Sequence, residues 1–224
     1  MSEPIVGELR QLFEAHRDPQ TAGPMENYMK DRFRFLGIKS PLRKELIKQF
    51  TAVHGWPEGD ELRAAAAALW ALPEREYQYA ALDFLIRKAR TLHKDDIGFV
   101  ETLVTDKPWW DTVDLIAGHL AGAIVARAPE LAVPCTDKWL ASGDMWLQRT
   151  AILFQLKYKS RTDVALLFRC IEACSGSGEF FLRKAIGWAL REYAKTDAAA
   201  VRAFVDTHPL SPLSRREALK GLAP

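Results

Sequence analysis

Cysteine is scarce in this sequence. Only Cys135, Cys170 and Cys174 occur among 224 residues, too few and too irregularly placed for a disulfide framework or a zinc motif. Cys170 and Cys174 stand one helical turn apart, but no histidine lies close in sequence to complete a metal pair. The five histidines are scattered without ligand spacing. The thiols are therefore expected to be buried and structural, and no metal or cofactor is expected. Long apolar runs are missing too: none approaches the roughly 20 residues a membrane helix needs. The N-terminal MSEPIVGELRQLFEAHR is charged throughout and lacks the apolar stretch of a signal peptide. These absences predict a cytoplasmic protein with no membrane partner. Strand signals are also nearly absent, and no segment reads as a β-hairpin.

What is present is helical. Charged residues make up 27% and hydrophobic residues 48% of the chain, the balance of a folded domain rather than a disordered one. ELRAAAAALW (61–70) has high helix propensity. Ser40-Pro41 and Ser211-Pro212 have the form of an N-cap followed by proline at the first helical position, and Ser214 to Glu217 has the spacing of a capping box. Helix-length segments alternate with short Gly, Pro, Ser or Asp breaks, predicting an all-α fold of roughly twelve to fourteen helices.

Three segments align without gaps: QYAALDFLI (78–86), QRTAILFQL (148–156) and LRKAIGWAL (182–190). Each has alanine at its fourth position and an aromatic three residues later. Their alanines are 70 and 34 residues apart, so the first interval holds two periods, and TVDLIAGHL (112–120) fills the missing unit. A period near 35 with two helices per unit predicts an α-solenoid of HEAT-like repeats forming one domain over residues 1–224, with one helix of each pair lining a concave side. Equivalent helices then set Trp110, Asp114, Arg149 and Trp188 along one wall.

The stretch DKPWWDTVDLIAG (106–118) is the unusual member. Trp110 and Asp114 are i and i+4 neighbours on one helical face, while Trp109 and Trp110 point about 100° apart, so one can be core while the other faces a groove. Asp111 suits the first turn of a helix. Asp114 lies among apolar residues, where a carboxylate needs a partner; its plainest reading is a structural salt bridge to Arg149. Residues 141–224 carry 13 Lys/Arg against 8 Asp/Glu, and residues 1–140 carry 18 against 21. The basic C-terminal part could face a polyanion, and Arg43, Lys44, Arg183, Lys184, Arg191, Lys195, Arg215 and Arg216, on helices or at their starts, would suit a duplex backbone. Arginine such as Arg149 is well shaped for phosphate.

Six segments carry a resemblance covering roughly residues 1–220: ENYMKDRFRFLGIKSPLRK, LWALPEREYQYAALD, WWDTVDLIAG, WLQRTAILFQLKYK, FFLRKAIGWALREYAKT and PLSRREALK. Together they resemble the AlkD family of bacterial DNA alkylation repair glycosylases. The resemblance implies a monofunctional enzyme that removes positively charged N3- and N7-alkylated purines from duplex DNA without base flipping and without strand cleavage, acting as a monomer. It implies Asp114 as the catalytic residue, Trp110 and Trp188 as groove tryptophans, Arg149 as the phosphate-positioning arginine and Tyr28 on the DNA-contacting surface. Lys39 departs from the glutamine expected there, and a lysine would alter the groove or strengthen a phosphate contact. Pro224 follows the last segment closely, so no longer C-terminal tail is expected. The competing reading is a non-catalytic repeat scaffold that binds DNA or protein, in which Asp114 and Arg149 form only a salt bridge.

Overall fold

A computed structural model describes residues 2–222; the expectation about the C-terminal end falls on Pro224, outside the described residues. Fourteen α-helical segments account for most of these residues. They contain no strand, and the nearest approach to one is a lone bridge between Arg34 and Glu74. The all-α expectation is met. Four helices begin at Arg75, Trp110, Met145 and Phe180, each 35 residues after the last, and the four aligned segments fall on them. No single helix among the described residues is long and apolar enough to cross a membrane. The chain divides into two compact units, Met1–Thr91 and Leu92–Pro224.

The first unit comprises α1 (Ser2–Glu14), α2 (Pro19–Tyr28), α3 (Ser40–His54), α4 (Gly59–Ala71) and α5 (Arg75–Arg87). Asp60 and Glu61 occupy the first turn of α4, where the helix dipole favours them. Its residues Leu62, Ala65, Ala66, Leu69 and Trp70 recur at three- and four-residue spacing and form the buried face. α4 packs on α1 and α5, and the Phe13 and Tyr77 rings stack 5.8 Å apart. α3 starts at Ser40, but the Ser40 hydroxyl does not cap it: Lys39 holds the N-cap position and makes no side-chain cap bond. The proline at the first turn already lacks the N–H a cap would serve.

The segment before α3 is held by a buried carboxylate. Glu76 accepts the backbone N–H groups of Leu36 (2.9 Å), Gly37 (2.9 Å) and Ile38 (3.0 Å). Gly37 has φ +93°, and a Cβ there would fall 2.1 Å from the Asp18 carbonyl oxygen, so only glycine fits. Arg75, fully buried, lies 3.8 Å from the centre of the Phe33 ring. Glu76→Gln keeps the shape but turns an amide N–H₂ toward backbone donors. It is expected to cost about 3 kcal/mol, measured by urea unfolding. A cost below about 1 kcal/mol would show that the three bonds contribute little net stability.

The second unit contains α6 (Ile97–Thr105), α7 (Trp110–Leu115), α8 (Gly122–Arg127), α9 (Ala132–Ala141), α10 (Met145–Leu153), α11 (Val164–Ser175), α12 (Phe180–Ala194), α13 (Ala198–Thr207) and α14 (Pro212–Leu219). α7 runs into α8 through a π-helical turn at Ile116–Ala121, where the Gly122 N–H reaches back to the Ala117 carbonyl. The Tyr158 hydroxyl donates to the Gly122 carbonyl at 2.7 Å. α10 is the hub, packing on α7, the π turn, α9 and α12. Aspartates cap α10 (Asp144), α11 (Asp163) and α13 (Asp197), and Ser211 caps α14 as its sequence predicts. Ser214 lies inside α14 rather than at its start, so the Ser214–Glu217 capping box does not form. Cys170 and Cys174 belong to the buried stripe of α11. Burial pushes their thiols up, to about 12 and about 11, which leaves them inert.

Candidate active site

The approach to α7 is strained. Lys107 takes φ 49° immediately before Pro108, a left-handed conformation that costs a non-glycine residue about 1–2 kcal/mol. After the turn, Trp109 is extended at the N-cap (φ −160°, ψ 161°) and Trp110 opens the helix. The two indoles part there. Trp109 is buried against Phe181 (4.9 Å) and Trp146 (5.7 Å), whereas Trp110 stays partly exposed. Asp111 occupies the first turn of α7.

One turn beyond Trp110, the Asp114 carboxylate meets Arg149 of α10 in a two-pronged pair. Arg149 Nε donates to Oδ1 at 2.7 Å and a terminal nitrogen donates to Oδ2 at 2.9 Å. The other terminal nitrogen donates to the Phe181 carbonyl at the start of α12. A single guanidinium thereby ties α7, α10 and α12 together. Three of its five N–H groups are spent on the protein, and Arg149 is only 4% exposed. The Asp114 side chain keeps 15% of its surface open. Each carboxylate oxygen has a lone pair left after the bidentate pair is made.

Burial pushes the Asp114 carboxyl above the ordinary aspartate value, and the nearby Asp111 adds to that push. The hydrogen bonds and charge of Arg149 work against it. The carboxyl and its arginine partner sit in a setting where water screens charge poorly.

On α12, Phe180 (58% exposed), Lys184, Trp188 and Arg191 follow one another at i, i+4, i+8 and i+11, hence on one face. Trp188 is half-buried, two turns beyond Phe181. Lys184 and Arg191 both pair with Glu217 of α14, at 3.1 and 2.7 Å. Lys195 pairs with Glu192 at 2.6 Å and Arg215 with Asp206 at 2.7 Å. The Arg183 side chain donates to the Ser177 carbonyl, and Arg216 is exposed. Most of the predicted backbone-binding cations of this unit thus already face a carboxylate.

In the first unit, Tyr28 is 68% exposed at the end of α2. It shares a cavity of about 330 Å³ with Lys39, Met25, Met29, Phe35 and Tyr79. Lys44 is exposed. Arg43 donates to Asp83 at 3.0 Å and lies over the Tyr79 ring at 4.9 Å.

The structure brings together Asp114 with Arg149, Lys184 with Trp188 and Arg191, and Tyr28 with Lys39. Sequence reasoning missed Phe181, Asp83 and Glu217 as partners. Glu217 was visible within PLSRREALK, but its spacing from Ser214 pointed to a helix cap instead.

The family model described as DNA alkylation repair enzyme matches residues 9–222. A solved structure described as a predicted DNA alkylation repair enzyme from Enterococcus faecalis is similar, with a TM-score of 0.85 and 35% identity over 92% of this chain and 97% of that one. No curated protein matches. On that family match, spanning nearly the whole sequence, the chain belongs to the DNA alkylation repair enzyme family.

Proposed function

We propose that the protein is a monofunctional DNA glycosylase that hydrolyses the N-glycosidic bond of N3- and N7-alkylated purines in duplex DNA, leaving the lesion in the stack. The observation that carries this reading is the Asp114 carboxylate. It is largely enclosed, fixed from one side by the Arg149 fork, and one helical turn from the partly exposed indole of Trp110. A scaffold has no use for an open carboxylate edge beside an indole.

Alkylation at N3 or N7 makes the base cationic, so it departs with the bonding electron pair and needs no protonation. The bond from C1′ to the base nitrogen breaks, and positive charge spreads over C1′ and the ring oxygen of the sugar. Asp114 stabilises that charge, and its remaining lone pairs orient the water whose oxygen joins C1′ as a proton leaves. The indole faces of Trp110 and Trp188 attract the cationic nucleoside. Arg149 acts chiefly by holding the carboxylate. Lys39, Lys44 and the cations of α12 and α14 meet backbone phosphates.

The reading is tested by incubating the protein with methylated duplex DNA and measuring released 7-methylguanine. Release without strand cleavage supports the glycosylase. Duplex binding with no base release would establish the scaffold instead.

The shifted Asp114 carboxyl also sets a pH dependence. Excision needs the anion, and a raised pKa means protonation begins at a higher pH than for an ordinary aspartate. The acid limb of the single-turnover rate is therefore expected above pH 3.8, with activity full on the alkaline side and lost as pH falls through the raised value. Circular dichroism at each pH separates this limb from unfolding. A limb centred at or below the ordinary aspartate value would contradict the assignment.

A further inference from the structure

α14 meets α12 at Gly187, the residue before Trp188. A Cβ on Gly187 would lie 2.4 Å from Glu217 Cβ and 2.9 Å from the Ser214 carbonyl oxygen, so only the missing side chain lets the helices close to this distance. The Ser214 hydroxyl donates to the Arg183 carbonyl at 2.9 Å and fixes the same contact. Glu217 is thereby seated directly behind the face that carries Trp188.

Its two oxygens are divided between two cations. Lys184 Nζ lies 3.1 Å from Oε1, and Arg191 donates to Oε2 at 2.7 Å and to the Glu217 backbone carbonyl at 3.2 Å. Lys184 and Arg191 flank Trp188 at i−4 and i+3, about 10 Å apart along the helix axis. The carboxylate is the more enclosed partner, with 16% of its side chain exposed against 38% for Lys184 and 31% for Arg191. Hydrogen bonds from Arg191 and Lys184 hold the Glu217 carboxyl down at about 2, well below the ordinary glutamate value.

We infer that Glu217 is a specificity-determining residue: it cancels one of the two positive charges beside Trp188, restraining affinity for undamaged duplex so that lesion contacts decide residence. This rests on the duplex-binding reading above. A face with net charge +1 rather than +2 displaces about one fewer counterion from DNA, and that difference is independent of sequence and damage. Strong backbone affinity would hold the protein equally on every site, whereas Trp110, Asp114 and Trp188 act only where a cationic base lies.

The experiment measures binding of undamaged duplex over a range of salt concentrations for wild type and Glu217→Gln. The variant is expected to steepen the slope of log K against log salt by about 0.9 and, with the two lines meeting at 1 M, to bind about eightfold more tightly than wild type at 0.1 M. A thermal melt confirms that it is folded. An unchanged slope, or weaker binding by the folded variant, overturns the inference. The double variant Lys184→Gln/Glu217→Gln provides a second test if Glu217→Gln alone does not fold. It keeps the net charge of the face at +1, so its slope is expected to match that of wild type, and a slope flatter by about 0.9 overturns the inference. A wild-type protein without salt-dependent duplex affinity removes the DNA reading itself, and this inference with it.

Discussion

Asp114→Asn is expected to slow single-turnover release of 7-methylguanine by about a thousandfold. A carboxylate about 4 Å from a unit positive charge stabilises it by about 4 kcal/mol at an effective dielectric of 20. Confined to the transition state, that energy corresponds to about three powers of ten in rate. The amide is nearly isosteric and its oxygen still accepts from Arg149, but the buried Arg149 cation loses its counter-charge, so a stability loss of about 3–5 kcal/mol is expected. Duplex affinity is expected to change little, because the role proposed for Asp114 is to meet developing charge rather than phosphate. Unfolding and DNA binding measured on the same preparation isolate the chemical effect. Equal release by variant and wild type would leave the enzyme but take the catalytic role away from Asp114.

Arg149→Ala is expected to act first on stability. The guanidinium joins α7, α10 and α12 through Asp114 and the Phe181 carbonyl, and both members of the ion pair are largely enclosed. Removing one partner leaves a buried charge uncompensated, at a cost of about 3–5 kcal/mol. Excision is expected to fall as well, since the carboxylate loses the fork that aims it. Arg149→Lys does not restore either property, because an ammonium cannot reproduce two parallel bonds to one carboxylate. Urea unfolding and excision assays on both variants check this. A variant as stable as wild type, but with a flatter salt dependence of binding, would instead make Arg149 a phosphate contact.

The repeat was legible in the sequence because it is written in core residues. An alanine followed three residues later by an aromatic marks three of the helices, at Ala81, Ala151 and Ala185, and helix starts at Arg75, Trp110, Met145 and Phe180 keep the spacing for all four. That Trp109 and Trp110 face different ways was legible as well, although the cause differs: Trp109 is the extended N-cap residue rather than part of the helix. Helix ends were less so. Ser211 caps α14, but Ser40 and Ser214 have the same local form and do not cap, because local spacing cannot tell which turn is the first. Pairings between distant residues were hidden most deeply. Arg43 with Asp83, and Glu217 with Lys184 and Arg191, depend on close packing of helices that no short window contains. The Asp114–Arg149 pair was an exception, since the 35-residue period itself brings the two into register.

The π turn at Ile116–Ala121 makes helical winding, rather than side-chain chemistry, a determinant of where Asp114 faces. Such a turn accommodates one residue more than an α-helical turn. Wound instead as regular α-helix with no residue removed, the stretch would swing Trp110 and Asp114 by about 100° relative to α8. The core anchored by Ile124 and Val125 would keep its seat while the carboxylate turned away from Arg149. Trp110 and Asp114 would still be present, but out of phase with their partners.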